Sequence, residues 1–158
     1  SSTFFDQAMY AEFEEEMYQI VENGGALDAR TLNELWRSLN ETYDGGMIHA
    51  EDDVATYWGL VPHFYYNHYV YQYATAAAYA ASLCQRILSG EEGASEDYKA
   101  FLALGSSQKP SELLARAGVD PLSEETYQAA LSFYARLVDQ YERLVDVKLS
   151  QSKDQPAA

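Results

Sequence analysis

The residues best suited to chemistry in this chain are one imidazole and three phenols. They are His63, Tyr66, Tyr69 and Tyr73, in a stretch (57–73) that holds six of the chain's fourteen tyrosines. On a helix opened by Pro62, at about 100° per residue, Tyr66, Tyr69 and Tyr73 fall at roughly 300°, 240° and 280° from His63. The spacing predicts one stripe, continued by Val70, Ala74, Ala77 and Ala81, with His68 and Tyr71 off it. Phenol hydroxyls and an imidazole donate hydrogen bonds near neutral pH, and converging donors can hold a peptide backbone or stabilise an oxyanion. The same spacing also suits an amphipathic core face with its hydroxyls at the domain edge. Spacing by itself leaves both readings open.

Other chemistries are excluded by what the chain lacks. It has no glycine-rich phosphate loop, no Gly-x-Ser-x-Gly elbow and no His-Glu-x-x-His zinc motif. No Glu-x-x-His pair supports a four-helix di-iron site. The histidines are His49, His63 and His68. The last two, five apart, would sit roughly 140° apart around a helix and could not share a metal from one face. Glu12, Glu14, Glu15 and Glu16 read as a solvated acidic helix face. Cys84, in an alanine-rich apolar run, reads as a small buried hydrophobe rather than a nucleophile.

Composition narrows the class further. A formal charge of -15 excludes a general nucleic-acid binder and argues against an anionic membrane surface. An apolar fraction of 47% fits a globular chain. A single cysteine rules out an internal disulfide framework and points to a reducing compartment. No basic-then-apolar leader opens the sequence, and the run 69–83 is too short and too polar to span a bilayer. A cytoplasmic protein is expected.

The elements that must position these residues all read as helices. Phe5, Met9, Phe13 and Met17 mark one buried stripe over 3–22, ended by Asn23-Gly24-Gly25. Asp28 caps a second helix carrying Leu32, Leu35, Trp36, Leu39 and Tyr43, and Asp44-Gly45-Gly46 stops it. After a loop or short helix over 47–61, Pro62 is read as opening one long helix over 63–88. Shorter helices follow over 95–104 and 110–117, and Ser123 caps a last helix bearing Leu131, Tyr134, Leu137, Val138, Tyr141, Leu144 and Val145. The expected fold is an all-α, multi-helix bundle over 1–149, with a disordered tail over 150–158.

One long segment goes beyond pattern. Tyr57-Trp58-Gly59-Leu60-Val61-Pro62-His63-Phe64-Tyr65-Tyr66-Asn67-His68-Tyr69-Val70-Tyr71-Gln72-Tyr73-Ala74-Thr75 resembles the oligoendopeptidase F branch of the thimet-oligopeptidase-like zinc peptidases. The helix beginning Phe5-Asp6-Gln7-Ala8-Met9-Tyr10-Ala11-Glu12-Phe13-Glu14 and the segment 98–120 are similar to that family in the same order. The resemblance implies the C-terminal helical part of a zincin-like catalytic domain. It implies a zinc endopeptidase acting on short peptides, whose zinc is held by elements preceding residue 3. His63 then matches a histidine that binds the substrate backbone, and Tyr73 a tyrosine that stabilises the tetrahedral oxyanion. Tyr66 and Tyr69 are further substrate-binding positions. Asp6 departs from the family's usual arginine.

The resemblance implies that this chain alone binds no zinc and is inactive, with the zinc-bearing N-terminal portion of the same enzyme and an oligopeptide substrate as its partners. A segment of a larger enzyme should expose an apolar patch, expected near the first helix, through which it could self-associate. The competing expectation is a non-catalytic helical peptide-binding or scaffold protein with a polar surface.

Overall fold

The structure, a computed structural model, describes residues 2–47 and 54–153, with side chains up to residue 148. His49 lies outside the described residues. Among the described residues there are six α-helices: α1 (Phe5–Glu22), α2 (Ala29–Tyr43), α3 (Tyr71–Leu88), α4 (Ala94–Leu104), α5 (Pro110–Arg116) and α6 (Glu124–Lys153). Two 3₁₀ helices, Val54–Leu60 and Pro62–Tyr65, lie between α2 and α3. No strand occurs among the described residues. The chain divides into two compact units, Ser1–Ala77 and Ala78–Ala158.

In the first unit, Met9, Phe13 and Met17 of the α1 stripe pack on the apolar face of α2, whereas Phe5, expected in the same buried stripe, is 38% exposed. Met9, Phe13, Leu32, Trp36, Leu39 and Val61 form the unit's buried core, with Tyr10, Met17, Leu35, Trp58 and Phe64 packed around them. Phe13 meets Trp36 edge-on at 5.1 Å and lies 5.1 Å from the Phe64 ring. Fully burying a side chain of this kind stabilises a fold by about 1.5–3 kcal/mol. Asp28 caps α2 as expected, its carboxylate accepting the Thr31 amide at 2.8 Å. The Trp58 indole donates to Asn33 Oδ1 at 2.8 Å, tying the first 3₁₀ helix to α2.

In the second unit, Leu83, Ala117 and Val119 form a core with Tyr79, Tyr98 and Phe101 against it. The Arg86 guanidinium joins the end of α3 to the loop after it and to the end of α5. It bonds Glu91 through Nε at 2.9 Å and Nη2 at 2.6 Å, and donates through Nη1 to the Ala117 carbonyl at the end of α5. Gly118 beside it is left-handed at φ 76°, and a Cβ there would run into this guanidinium. Ser123 accepts the Glu125 amide at 3.1 Å at the start of α6. That helix continues to Lys153, beyond the boundary at 149 expected for the bundle.

Three further expectations are corrected. The single helix over 63–88 does not form: a 3₁₀ turn, Pro62–Tyr65, is followed by left-handed Asn67 and His68, and α3 starts only at Tyr71. Asn, His, Tyr, Phe and Val are all mediocre helix formers, so tertiary partners decide this stretch. Cys84 is exposed, because Leu83, about 100° away on α3, takes the buried position. Glu14 is 1% exposed rather than solvated.

Candidate functional site

The structure brings His63, Tyr66, Tyr69 and Tyr73 together. The Tyr73 hydroxyl lies 3.4 Å from His63 Nε2 and 3.3 Å from the Tyr69 hydroxyl. The Tyr69 ring stacks on the His63 imidazole, 5.7 Å between centroids and 4° between planes. Tyr66 joins through edge-on ring contacts to His63 at 6.5 Å and Tyr69 at 5.8 Å. Tyr69 is 37% and Tyr66 61% exposed, so the cluster opens to solvent. The Tyr69 hydroxyl, then partial burial, holds the Tyr73 phenol above its ordinary range. A phenol is protonated at neutral pH and has a proton to donate.

The route to this cluster is not the helical stripe. On a straight helix, ten residues at about 1.5 Å each would set His63 and Tyr73 roughly 15 Å apart along the axis. The reversal at Asn67 (φ 53°) and His68 (φ 55°) folds the 3₁₀ helix back over the start of α3. Tyr69 and Tyr73 then meet as an i, i+4 pair. His68 and Tyr71 stay outside the cluster: the His68 ring stacks on Tyr18 at 4.2 Å, and Tyr71 is half exposed.

Left-handed backbone costs a non-glycine residue about 1–2 kcal/mol, and two in succession need support. α1 supplies it. Glu14 Oε1 accepts the His68 amide at 2.7 Å, and the Tyr18 hydroxyl donates to Asn67 Oδ1 at 3.0 Å. Neither residue stood out in the sequence. Glu14 is hidden in an acidic run, and its only signal is the spacing Tyr10, Glu14, Tyr18, a second four-residue stripe beside the core one. Among the described residues, no three His, Cys, Asp or Glu side chains are grouped to hold a metal. No described helix is long and apolar enough to cross a membrane.

The described residues thus form an all-helical scaffold that presents an imidazole–phenol cluster. The profile described as peptidase family M3 matches residues 1–133, and the chain belongs to that family. It is 38% identical over 150 residues to the oligopeptidase PepF of Bacillus subtilis, covering 95% of this chain and 22% of that protein. It is 35% identical over 144 residues to the plasmid oligoendopeptidase F of Lactococcus lactis subsp. cremoris, covering 91% of this chain and 24% of that protein. The crystal structure of oligoendopeptidase-F from Enterococcus faecium superposes with a TM-score of 0.81 at 35% identity, over 92% of this chain and 28% of that one. The chain thus spans about a quarter of the length of these relatives.

Proposed function

We propose that this chain is the part of a zinc oligoendopeptidase that forms the substrate- and oxyanion-binding wall facing the zinc site. Family membership supports a peptidase, and the family's enzymes use zinc. The zinc would be held outside this chain, because the chain has no His-Glu-x-x-His and its described residues group no metal ligands. The observation that carries the reading is the linked trio Tyr69 Oη, Tyr73 Oη and His63 Nε2, at 3.3 and 3.4 Å, open to solvent.

The trio can work as follows. Tyr73 donates its hydroxyl proton to the oxygen of a peptide carbonyl as that oxygen gains negative charge. The Tyr69 hydroxyl, 3.3 Å from that of Tyr73, holds the Tyr73 hydroxyl in place at the opening. His63 and Tyr66 border the same opening and bind the peptide backbone. The single cysteine suits a cytoplasmic setting.

The exposed apolar surface favours a segment of a larger enzyme over a standalone scaffold. Leu122 is 91%, Leu88 80%, Leu144 69% and Tyr141 69% exposed. The fullest row lies on α6 rather than near α1, where the sequence had placed it. The test is a quenched fluorescent peptide offered to the purified chain with zinc. No cleavage is expected, and cleavage restored when the zinc-bearing portion is present. Zinc-dependent cleavage by the chain alone would overturn the reading.

A further inference from the structure

We infer that Glu14 is a positioning residue of the His63–Tyr73 site, acting through the His68 amide to hold the left-handed turn that sets His63 against Tyr73. The inference rests on the reading of that cluster as the peptide-binding wall, but its test does not depend on it.

Glu14 is anomalous where it stands. Its neighbours Glu12 and Glu15 on α1 are exposed, whereas Glu14 is 1% exposed at the edge of an aromatic core. A carboxylate is buried at a cost unless strong donors meet it. Here the donor is a backbone amide from a segment 54 positions away, at 2.7 Å, the short distance of a charge-assisted bond. The amide belongs to the second of the chain's only described non-glycine residues with positive φ, Asn67 and His68. Successive left-handed residues persist where their surroundings over-determine them. α1 does so at three points: Glu14 on the His68 amide, the Tyr18 hydroxyl on Asn67, and the Tyr18 ring stacked on His68. Each lies on one face of α1, at positions four apart.

The clamp acts on the site by geometry. His63 precedes the turn, and Tyr69 and Tyr73 follow it. Opening the turn toward a helical path would carry His63 away along the axis, out of reach of Tyr73. Glu14 touches none of the cluster's polar atoms in this arrangement, so its effect passes through the backbone it fixes.

Glycine distinguishes this role from simple core packing, since glycine adopts the left-handed conformation without strain. In the full 158-residue chain, the nuclear Overhauser contact between the His63 and Tyr73 rings is followed by NMR. Glu14→Leu should abolish it while helix content persists. Adding Asn67→Gly and His68→Gly to Glu14→Leu should restore it. Glu14→Gln, which keeps an acceptor, should retain it. In the complete enzyme, Glu14→Leu should lower kcat/KM on the order of 10²-fold, the effect of an ångström-scale displacement, and the glycine pair should recover most of that loss. A ring contact unchanged in Glu14→Leu, or lost and not restored by the glycines, would overturn the inference. If Glu14→Leu does not fold, Tyr18→Ala removes the exposed half of the clamp and should weaken the same contact; an unchanged contact there also overturns it. Should Tyr73→Phe leave turnover intact, the peptide-binding reading fails, while the ring contact still decides the clamp.

Discussion

The Tyr73 hydroxyl sits 3.4 Å from His63 Nε2, although ten positions and two left-handed residues separate the two. The Tyr69 hydroxyl beside it raises the Tyr73 phenol above its ordinary range. In the complete enzyme Tyr73→Phe should therefore lower kcat on the order of 10²–10³, the scale for removing one oxyanion donor. KM should move little. An unchanged kcat would take Tyr73 out of that role.

His63 should behave differently, because its ring borders the opening rather than lying between the two phenols. His63→Ala is expected to raise KM about tenfold, the equivalent of one lost hydrogen bond, with a smaller effect on kcat. Steady-state kinetics over a series of peptide concentrations separates the two. A fall in kcat at constant KM would assign His63 to the oxyanion instead.

Two phenols away from the site predict the alkaline limit of stability. Burial first, then the Tyr79 hydroxyl 3.1 Å away, pushes Tyr127 up to about 12. Burial and the Glu12 carboxylate, 2.8 Å away, do the same for Tyr43, also to about 12. Both folded values lie above an ordinary 10.0, so unfolding releases protons at high pH. The stability these groups contribute is complete below pH 10 and lost as pH rises toward 12. Urea midpoints across that range should fall less steeply in Tyr43→Phe/Tyr127→Phe than in the parent. Parallel curves would show that other groups set the limit.

The apolar row on α6 predicts self-association of the isolated chain. Leu137, Val138, Tyr141, Leu144 and Val147 are between 43% and 69% exposed. Rows of this kind on soluble chains mark interaction surfaces. Sedimentation velocity should show concentration-dependent oligomers, and Val138→Glu/Leu144→Glu should return the chain to monomer. A parent chain monomeric at all concentrations would refute this.

Much of the architecture was legible because it rests on local chemistry. The Asp28 cap, the glycine stops after α1 and α2, the Ser123 start of α6 and the Met9/Phe13 stripe all need only near neighbours. The cluster's membership was legible too, yet the reasoning that grouped it assumed a continuous helix. Angular position on a wheel says nothing of axial distance, and the break at Asn67 and His68 depends on partners in α1 that the segment itself does not contain. Glu14 was misread for the same reason: its burial is decided by a distant amide, and its flanking glutamates disguise it. Cys84 shows the limit on a smaller scale, since an alanine-rich helix does not reveal from composition which face is covered.

The contact between Glu14 and His68 closes a loop of 54 positions, and ordering of that length is paid for before any contact rewards it. α3 needs only its own neighbours and can form on the microsecond scale of helix formation, about 0.1–1 μs for a peptide. The approach of His63 to Tyr73 is thus a late event in folding, reached when α1 docks. In stopped-flow refolding, helical circular dichroism should recover before the His63–Tyr73 ring contact; simultaneous recovery would show the site to be nucleated with the helices. A freshly made chain can be largely helical and still lack the arrangement that its sequence encodes.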